Sequence, residues 1–159
     1  MLFLPLNSQH DTKGFDCGND DLNRGVAKQH KDRGVSSIFV AVSDSASPEI
    51  LGFYAIRVAE LVKIDLPAQY REHLPEKLPV FRVGRLAVSI RHQGQRIGES
   101  LLLDALDRIT RISQEVGGGG IVVNAIPSAV DFYKQYGFEQ MADHPHILFL
   151  PIITTPAHQ

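Results

Sequence analysis

The sequence predicts an α/β fold built on a mixed sheet flanked by helices, and three observations carry that prediction. Short runs rich in β-branched and aromatic residues, at 37–42, 50–59, 81–90, 121–125 and 146–151, have the composition of strands. The first two are joined by a Ser/Asp/Pro-rich stretch over 43–48, which makes them an antiparallel hairpin. Between 81–90 and 121–125 apolar residues recur every three or four positions, the pattern of a long amphipathic helix. As a crossover, that helix makes the strands on either side of it parallel.

In chain order, Met1–Leu6 is apolar but lacks a basic leader and breaks at Pro5, so it reads as a first strand and not as a secretory signal. Asn19 followed by Asp20 and Asp21 is an N-cap with acids in the first turn, predicting a helix to about Lys31 that stops at Gly34. Pro67, Pro75 and Pro79 leave room for one short helix, Ala68 to Leu74, in an otherwise irregular segment over 65–79. The long helix carries Ile97, Leu101, Ala105, Ile109, Ile112 and Val116 on one face, and Gly117–Gly120 ends it as a left-handed cap. Pro127 and the Ser128–Asp131 capping-box pattern start a last helix that stops at Gly137. The chain reads as one domain over 1–153 with a loose tail over 154–159.

Composition narrows the function classes. No apolar run approaches the roughly 20 residues of a membrane span. The single cysteine, Cys17, excludes an internal disulfide and a multi-cysteine zinc site, and fits a reducing cytoplasm. A formal charge of −2 gives no global attraction to nucleic acid. The charge is uneven, however. Residues 24–34 hold Arg24, Lys28, Lys31 and Arg33 against only Asp32, and residues 80–96 hold Arg82, Arg85, Arg91 and Arg96 against no acid. Such patches suit an anionic ligand at a particular place; solvated helix and loop faces account for them equally well.

The strand, glycine turn and helix running from Arg82 to Leu106 make an anion site, because a helix start presents unpaired N–H groups and a positive dipole end. Neither the Gly-Lys-Ser/Thr ending of a nucleotide P-loop nor the three-glycine dinucleotide fingerprint is present. Gln93-Gly94-Gln95-Arg96-Ile97-Gly98 instead resembles the pyrophosphate loop of the GNAT N-acetyltransferases, Gln/Arg-x-x-Gly-x-Gly/Ala, with Arg96 where the family's first glycine stands. Phe15–Gly18, Gly84–Val88, the helix after the loop, Asn124 and Phe132–Phe138 follow in family order, so the resemblance spans nearly the whole chain.

The resemblance implies the GNAT fold, with a mostly antiparallel sheet whose central parallel strands splay, and acetyl-CoA as cosubstrate. It places cofactor contacts at Leu86, Ala87, Val88, Gln93, Gly94, Gln95, Arg96, Ile97, Gly98, Ser100, Asn124, Phe132 and Tyr133. Tyr133 would act as the acid toward the leaving thiolate, since a phenol near pKa ~10 is protonated at neutral pH. If the backbone at Arg96 is helical, that side chain is tolerated and either points away or lies along the diphosphate as a cation. Phe81–Ile90 contains no glutamate to serve as general base, leaving Glu60 as a distant candidate. A lysine at ~10.4 must lose a proton before attack, whereas an α-amine at ~7.7–8.0 is already partly neutral. His144 and His146 lie on one strand face without a third ligand and read as structural or surface residues.

Within the GNATs, Phe15-x-Cys17-Gly18, Leu22-Asn23, Gly84–Val88 and Leu148–Pro151 most resemble the TacT/AtaT-type toxins of bacterial toxin–antitoxin modules. That likeness implies acetylation of the α-amine of aminoacyl-tRNA, a homodimer and a ribbon-helix-helix antitoxin. The segment from Asn124 to Tyr133 is about one residue shorter than in those toxins. Lys28, Lys31, Arg33, Arg82, Arg85 and Arg91 become candidate substrate contacts. Two further readings stay open: a GNAT acting on a small-molecule or protein amine, and a GNAT-fold binding protein with little catalysis.

Overall fold

Asn19 begins the first helix as its sequence demands. Its Oδ1 accepts from the backbone N–H of Asp21 at 3.0 Å and of Leu22 at 3.2 Å, satisfying two donors that a helix start leaves open. This computed structural model of the protein describes residues 1–27, 36–72 and 74–152. Helix α1 is Asp20–Ala27; its expected continuation to Lys31 and stop at Gly34 lie outside the described residues.

Strand β1 is Leu2–Pro5, β2 Ser37–Val42, β3 Gly52–Val62, β4 Lys77–Val88 and β5 Gly120–Asn124, with α2, Ile97–Val116, between the last two. Helix α3 is Val130–Lys134, β6 is Glu139–Met141 and β7 is His144–Pro151. The seven strands form one sheet in the order β1-β2-β3-β4-β5-β7-β6. The β2–β3 hairpin is antiparallel, Ser37 opposite Ile56, and β4–β5 is parallel, as a helical crossover requires. Two compact units divide the chain, Met1–Arg57 with Gly84–Asp107 and Val58–Val83 with Arg108–Gln159, so β3, β4 and α2 each contribute to both.

In the first unit the alternating residues Ile38, Val40 and Val42 of β2 pack with Phe15, Val26, Phe53 and Ala87. Phe15 meets Phe53 edge-on, ring centroids 5.4 Å apart. Helix α2 buries Ile97, Leu101, Leu102 and Ala105 here, and the fully buried Tyr54 donates its hydroxyl to Asp104 on the same helix. Gly52 opens β3 because nothing larger fits: a Cβ there would stand 2.7 Å from both Ala87 O and Leu101 Cδ1.

The second unit packs Leu61, Leu66, Leu78, Val80, Val122, Met141 and Phe149. Gly117 at φ 85° and Gly118 at φ 125° end α2, and the Gly117 N–H donates to Ser113 O at 2.8 Å. The helix leaves the core before its end, for Val116 is 71% exposed. Strand β4 begins at Lys77 and includes Pro79, whose carbonyl accepts from the Gly119 N–H at 2.8 Å. Between Pro67 and Pro75 the expected helix shrinks to one 3-10 turn, Ala68–Tyr70. No capping box forms at Ser128. Pro127 opens a 3-10 turn with its fixed φ, and α3 follows on Ala129 with no side-chain cap. Strand β6, Glu-Gln-Met, lacks strand composition and exists through its pairing with β7.

Gly52→Ala is expected to cost about 2 kcal/mol through overpacking, lowering Tm by roughly 4–8 °C. Thermal denaturation followed by circular dichroism measures it.

Candidate active site

The candidate anion site lies where β4 leaves the sheet. The Ser89 N–H donates to Leu51 O at 2.8 Å, a 3-10 turn covers Ile90–His92, and Gly94 turns the chain at φ 84°. The first backbone bond of α2 is Ser100 N–H to Arg96 O at 3.1 Å, with the Ser100 hydroxyl on the same carbonyl at 3.2 Å. The N–H groups of Ile97, Gly98 and Glu99 therefore have no acceptor within the helix, and residues 93–96 beside them are exposed. A Cβ on Gly98 would rest in ordinary contact, 3.6 Å from Val88, so the protein's own packing does not demand glycine there. Both observations fit a diphosphate.

Arg96 departs from the expected helical backbone. Its φ is 61°, the left-handed region, so it adopts the conformation that a glycine supplies without cost. For a residue with a Cβ that conformation costs about 1–2 kcal/mol.

Gln93, at the loop's first family position, is exposed but folds its amide back onto the chain. Its amide donates to Cys17 O at 3.3 Å and Val88 O at 3.2 Å, bracing the turn. Behind it, Asp16 Oδ1 accepts from the Gly18 N–H at 2.9 Å and from Asn23 Nδ2 at 3.0 Å. Asn23 Oδ1 accepts from the Cys17 N–H at 2.9 Å, and Asp16 O from the Ile90 N–H at 2.8 Å. The Gly18 bond first, and the Asn23 bond second, hold the Asp16 carboxyl below the usual carboxylate range. Burial pushes the Cys17 thiol up, away from nucleophile chemistry. The family resemblance covers this stretch but implies no part for Asp16 and Asn23; a polar pair seven residues apart at a helix entrance is the signal the sequence offers. Of the β4 residues assigned to the cofactor, Ala87 is buried and Leu86 and Val88 are half-buried.

The second unit carries the other assigned groups. Asn124 stands exposed at the end of β5, opposite Ile147. Tyr133 on α3 is buried, its ring edge-on to Phe132 at 5.2 Å and to Phe138 at 5.7 Å. Phe132 and Tyr136 are half-buried, rings 5.4 Å apart. Among the described residues no hydrogen bond engages the Tyr133 hydroxyl. Burial pushes its pKa up to about 12, so the phenol stays protonated throughout the neutral range. A thiol resembling cysteine lies near ~8.5, which makes complete proton transfer uphill by about 5 kcal/mol. Tyr133 is thus equipped to donate a strong hydrogen bond to a forming thiolate rather than to surrender its proton.

The basic residues divide. Arg85 lays its guanidinium on α1 at Gly25, where a Cβ would come within 2.8 Å of Nη1. Arg91 is 3.9 Å from Glu49, and His92 Nε2 is 2.8 Å from the same carboxylate, so the acid missing from residues 80–96 is supplied by the β2–β3 turn. Arg24 pairs with Asp21, and Arg82 is half-buried on β4 in the second unit. Lys28, Lys31 and Arg33 lie outside the described residues. Glu60 is exposed on the second unit's part of β3, and His144 and His146 are exposed on β7.

A model of the acetyltransferase (GNAT) domain matches residues 69–147. Over 150 residues the chain is 31% identical to a tRNA-acetylating toxin of Mycobacterium tuberculosis, covering 91% of this chain and 89% of that one. The chain belongs to the GNAT acetyltransferases. A structure of AtaT complexed with acetyl-methionyl-tRNAfMet is similar to this GNAT acetyltransferase with a TM-score of 0.83 and 25% identity, covering 94% of each chain. A tyrosine-to-phenylalanine mutant of the AtaT toxin, bound to the C-terminus of the antitoxin AtaR and to acetyl-CoA, matches with a TM-score of 0.76 and 25% identity, covering 95% of this chain and 92% of that one.

Arg96→Gly is expected to stabilise this acetyltransferase by about 0.5–1 kcal/mol, the relieved strain less the chain entropy of glycine, or roughly 2 °C in Tm. Arg96→Ala, which keeps the strain, should show no such gain. Tyr133→Phe should leave Tm within a degree or two and lower kcat by roughly a hundredfold. With a phenol at about 12, the kcat profile of the unaltered enzyme should show no alkaline loss from Tyr133 below about pH 11. Stopped-flow assay of thiol release across pH checks both.

Proposed function

We propose that this acetyltransferase transfers the acetyl group of acetyl-CoA to the α-amine of aminoacyl-tRNA and thereby blocks translation. The observation that carries the reading is the 31% identity, over 91% of the chain, to a toxin named for acetylating tRNA. The N–H groups of residues 93–98 take the diphosphate, the β4 backbone from Leu86 to Val88 and the Asn124 amide take the pantetheine arm, and Tyr133 donates to the thiolate. The neutral α-amine attacks the thioester carbonyl; the C–N bond forms, the C–S bond breaks, and the ammonium proton passes to solvent.

The chain's own residues favour this substrate over a lysine. Phe81–Ile90 offers no carboxylate to deprotonate an ammonium near ~10.4, whereas an α-amine near ~7.7–8.0 needs little help. Lys28, Lys31, Arg33, Arg82, Arg85 and Arg91 hold phosphates of the acceptor stem. The partners in this reading are a second copy of the chain and a ribbon-helix-helix antitoxin, and the place of action is the cytoplasm.

Incubation with radiolabelled acetyl-CoA and either charged or deacylated tRNA tests the proposal. Label should enter only the charged RNA and leave on alkali treatment as N-acetyl amino acid. Equal labelling of deacylated tRNA, or label on protein or polyamines alone, would move the substrate to another amine. Binding of tRNA should weaken steeply with salt, and the double variant Lys28→Ala/Lys31→Ala should flatten the slope by roughly 1.5–2 units without changing acetyl-CoA affinity.

A further inference from the structure

We infer that Asp16 and Asn23 are positioning residues for the acetyl-CoA loop. The inference rests on the reading that residues 93–98 hold the diphosphate of that cosubstrate. Asp16 joins three pieces of chain at one residue. Its carboxylate takes the Gly18 N–H and the Asn23 amide of α1, and its carbonyl takes the Ile90 N–H at the start of the turn leading into the loop. One residue on, Cys17 receives the Gln93 amide on its carbonyl and gives its own N–H to Asn23. Segment 16–18 thereby grips both ends of the turn Ile90–Gln93, while α1 grips the segment.

Neither side chain belongs to the rim of open N–H groups. Asn23 is spent on Asp16 and Cys17, and Asp16 on Gly18 and Asn23, so they act on the cosubstrate only through the turn they hold. Gly18 serves the same arrangement. Its φ of 87° turns its N–H back to the carboxylate, and a Cβ there would still clear Ile90 by 3.7 Å. The loop is strained at Arg96, and strained backbone persists only where its surroundings hold it; the bonds from segment 16–18 are such a hold. Binding to a site held ready costs less ordering than binding to one that must be assembled.

The test uses the full chain and measures the acetyl-CoA Kd by calorimetry without acceptor, with Tm and kcat alongside. Asp16→Ala and Asn23→Ala should each raise Kd roughly tenfold, with kcat at saturating acetyl-CoA within about twofold of the parent. The double variant should be no worse than about the weaker single one, because both remove one bracing unit. Asp16→Asn, which retains an Oδ1 acceptor, should stay within about threefold. An unchanged Kd in the alanine variants, multiplied effects in the double variant, or an asparagine variant as weak as alanine overturns the inference. Should Asp16→Ala fail to fold, Asn23→Asp decides the same point: it keeps the acceptor for Cys17 but sets a second carboxylate against Asp16, so Kd must rise. Parent protein that binds no acetyl-CoA overturns the reading of the loop as well. Parent protein that binds it but labels no tRNA overturns the substrate alone.

Discussion

The parallel pairing of β4 with β5 is the constraint from which the rest of the architecture follows. Two parallel neighbours need a long crossover, and α2 supplies it. A helical crossover starts at the carboxyl end of the strand before it, so the end of β4 and the unpaired N–H groups of α2 meet at one turn. The register runs from Phe81 opposite Ile121 to Val83 opposite Val123, and β4 continues beyond it to Val88. The open N–H groups at this turn, the feature that suits an anion, are therefore a consequence of topology before they are a matter of side chains.

What side chains add is control of that turn. A loop residue with a Cβ at φ 61° holds about 1–2 kcal/mol of strain, comparable to one or two exposed hydrogen bonds. Gln93 and Asp16 hold the approach to that residue through bonds from outside the loop. Sign matters for the carboxylate. With its pKa depressed by the Gly18 and Asn23 bonds, Asp16 contributes fully above the ordinary carboxylate pKa of ~3.9 and loses its contribution as pH falls through the lower folded value. The brace is thus complete wherever the acyl acceptor has a neutral amine.

Tyr133 illustrates a different use of burial. Desolvation raises the phenol to about 12, which removes any prospect of ionisation at working pH and leaves a permanent donor. The Phe132 and Phe138 rings that stand edge-on to Tyr133 are part of that burial and also hold the ring.

Periodicity and punctuation in the sequence determined the elements with strong local signals: the β2–β3 hairpin, the Asn19 cap, the long amphipathic α2, the glycines that end it, and the parallel relation of β4 to β5. The family resemblance brought Gln93, Gly98, Asn124 and Tyr133 into view. Tertiary structure decided the rest, because the deciding contacts join residues far apart in sequence. Strand β6 forms only against β7, Pro127 displaces the capping box written at Ser128, and Glu49 reaches Arg91 and His92 from a different turn. The left-handed backbone of Arg96 and the hold of Asp16 on Ile90, across more than seventy residues, had no local signature. A chain pattern encodes which face of an element is apolar; which distant carbonyl or carboxylate meets a given N–H is settled only when the elements pack.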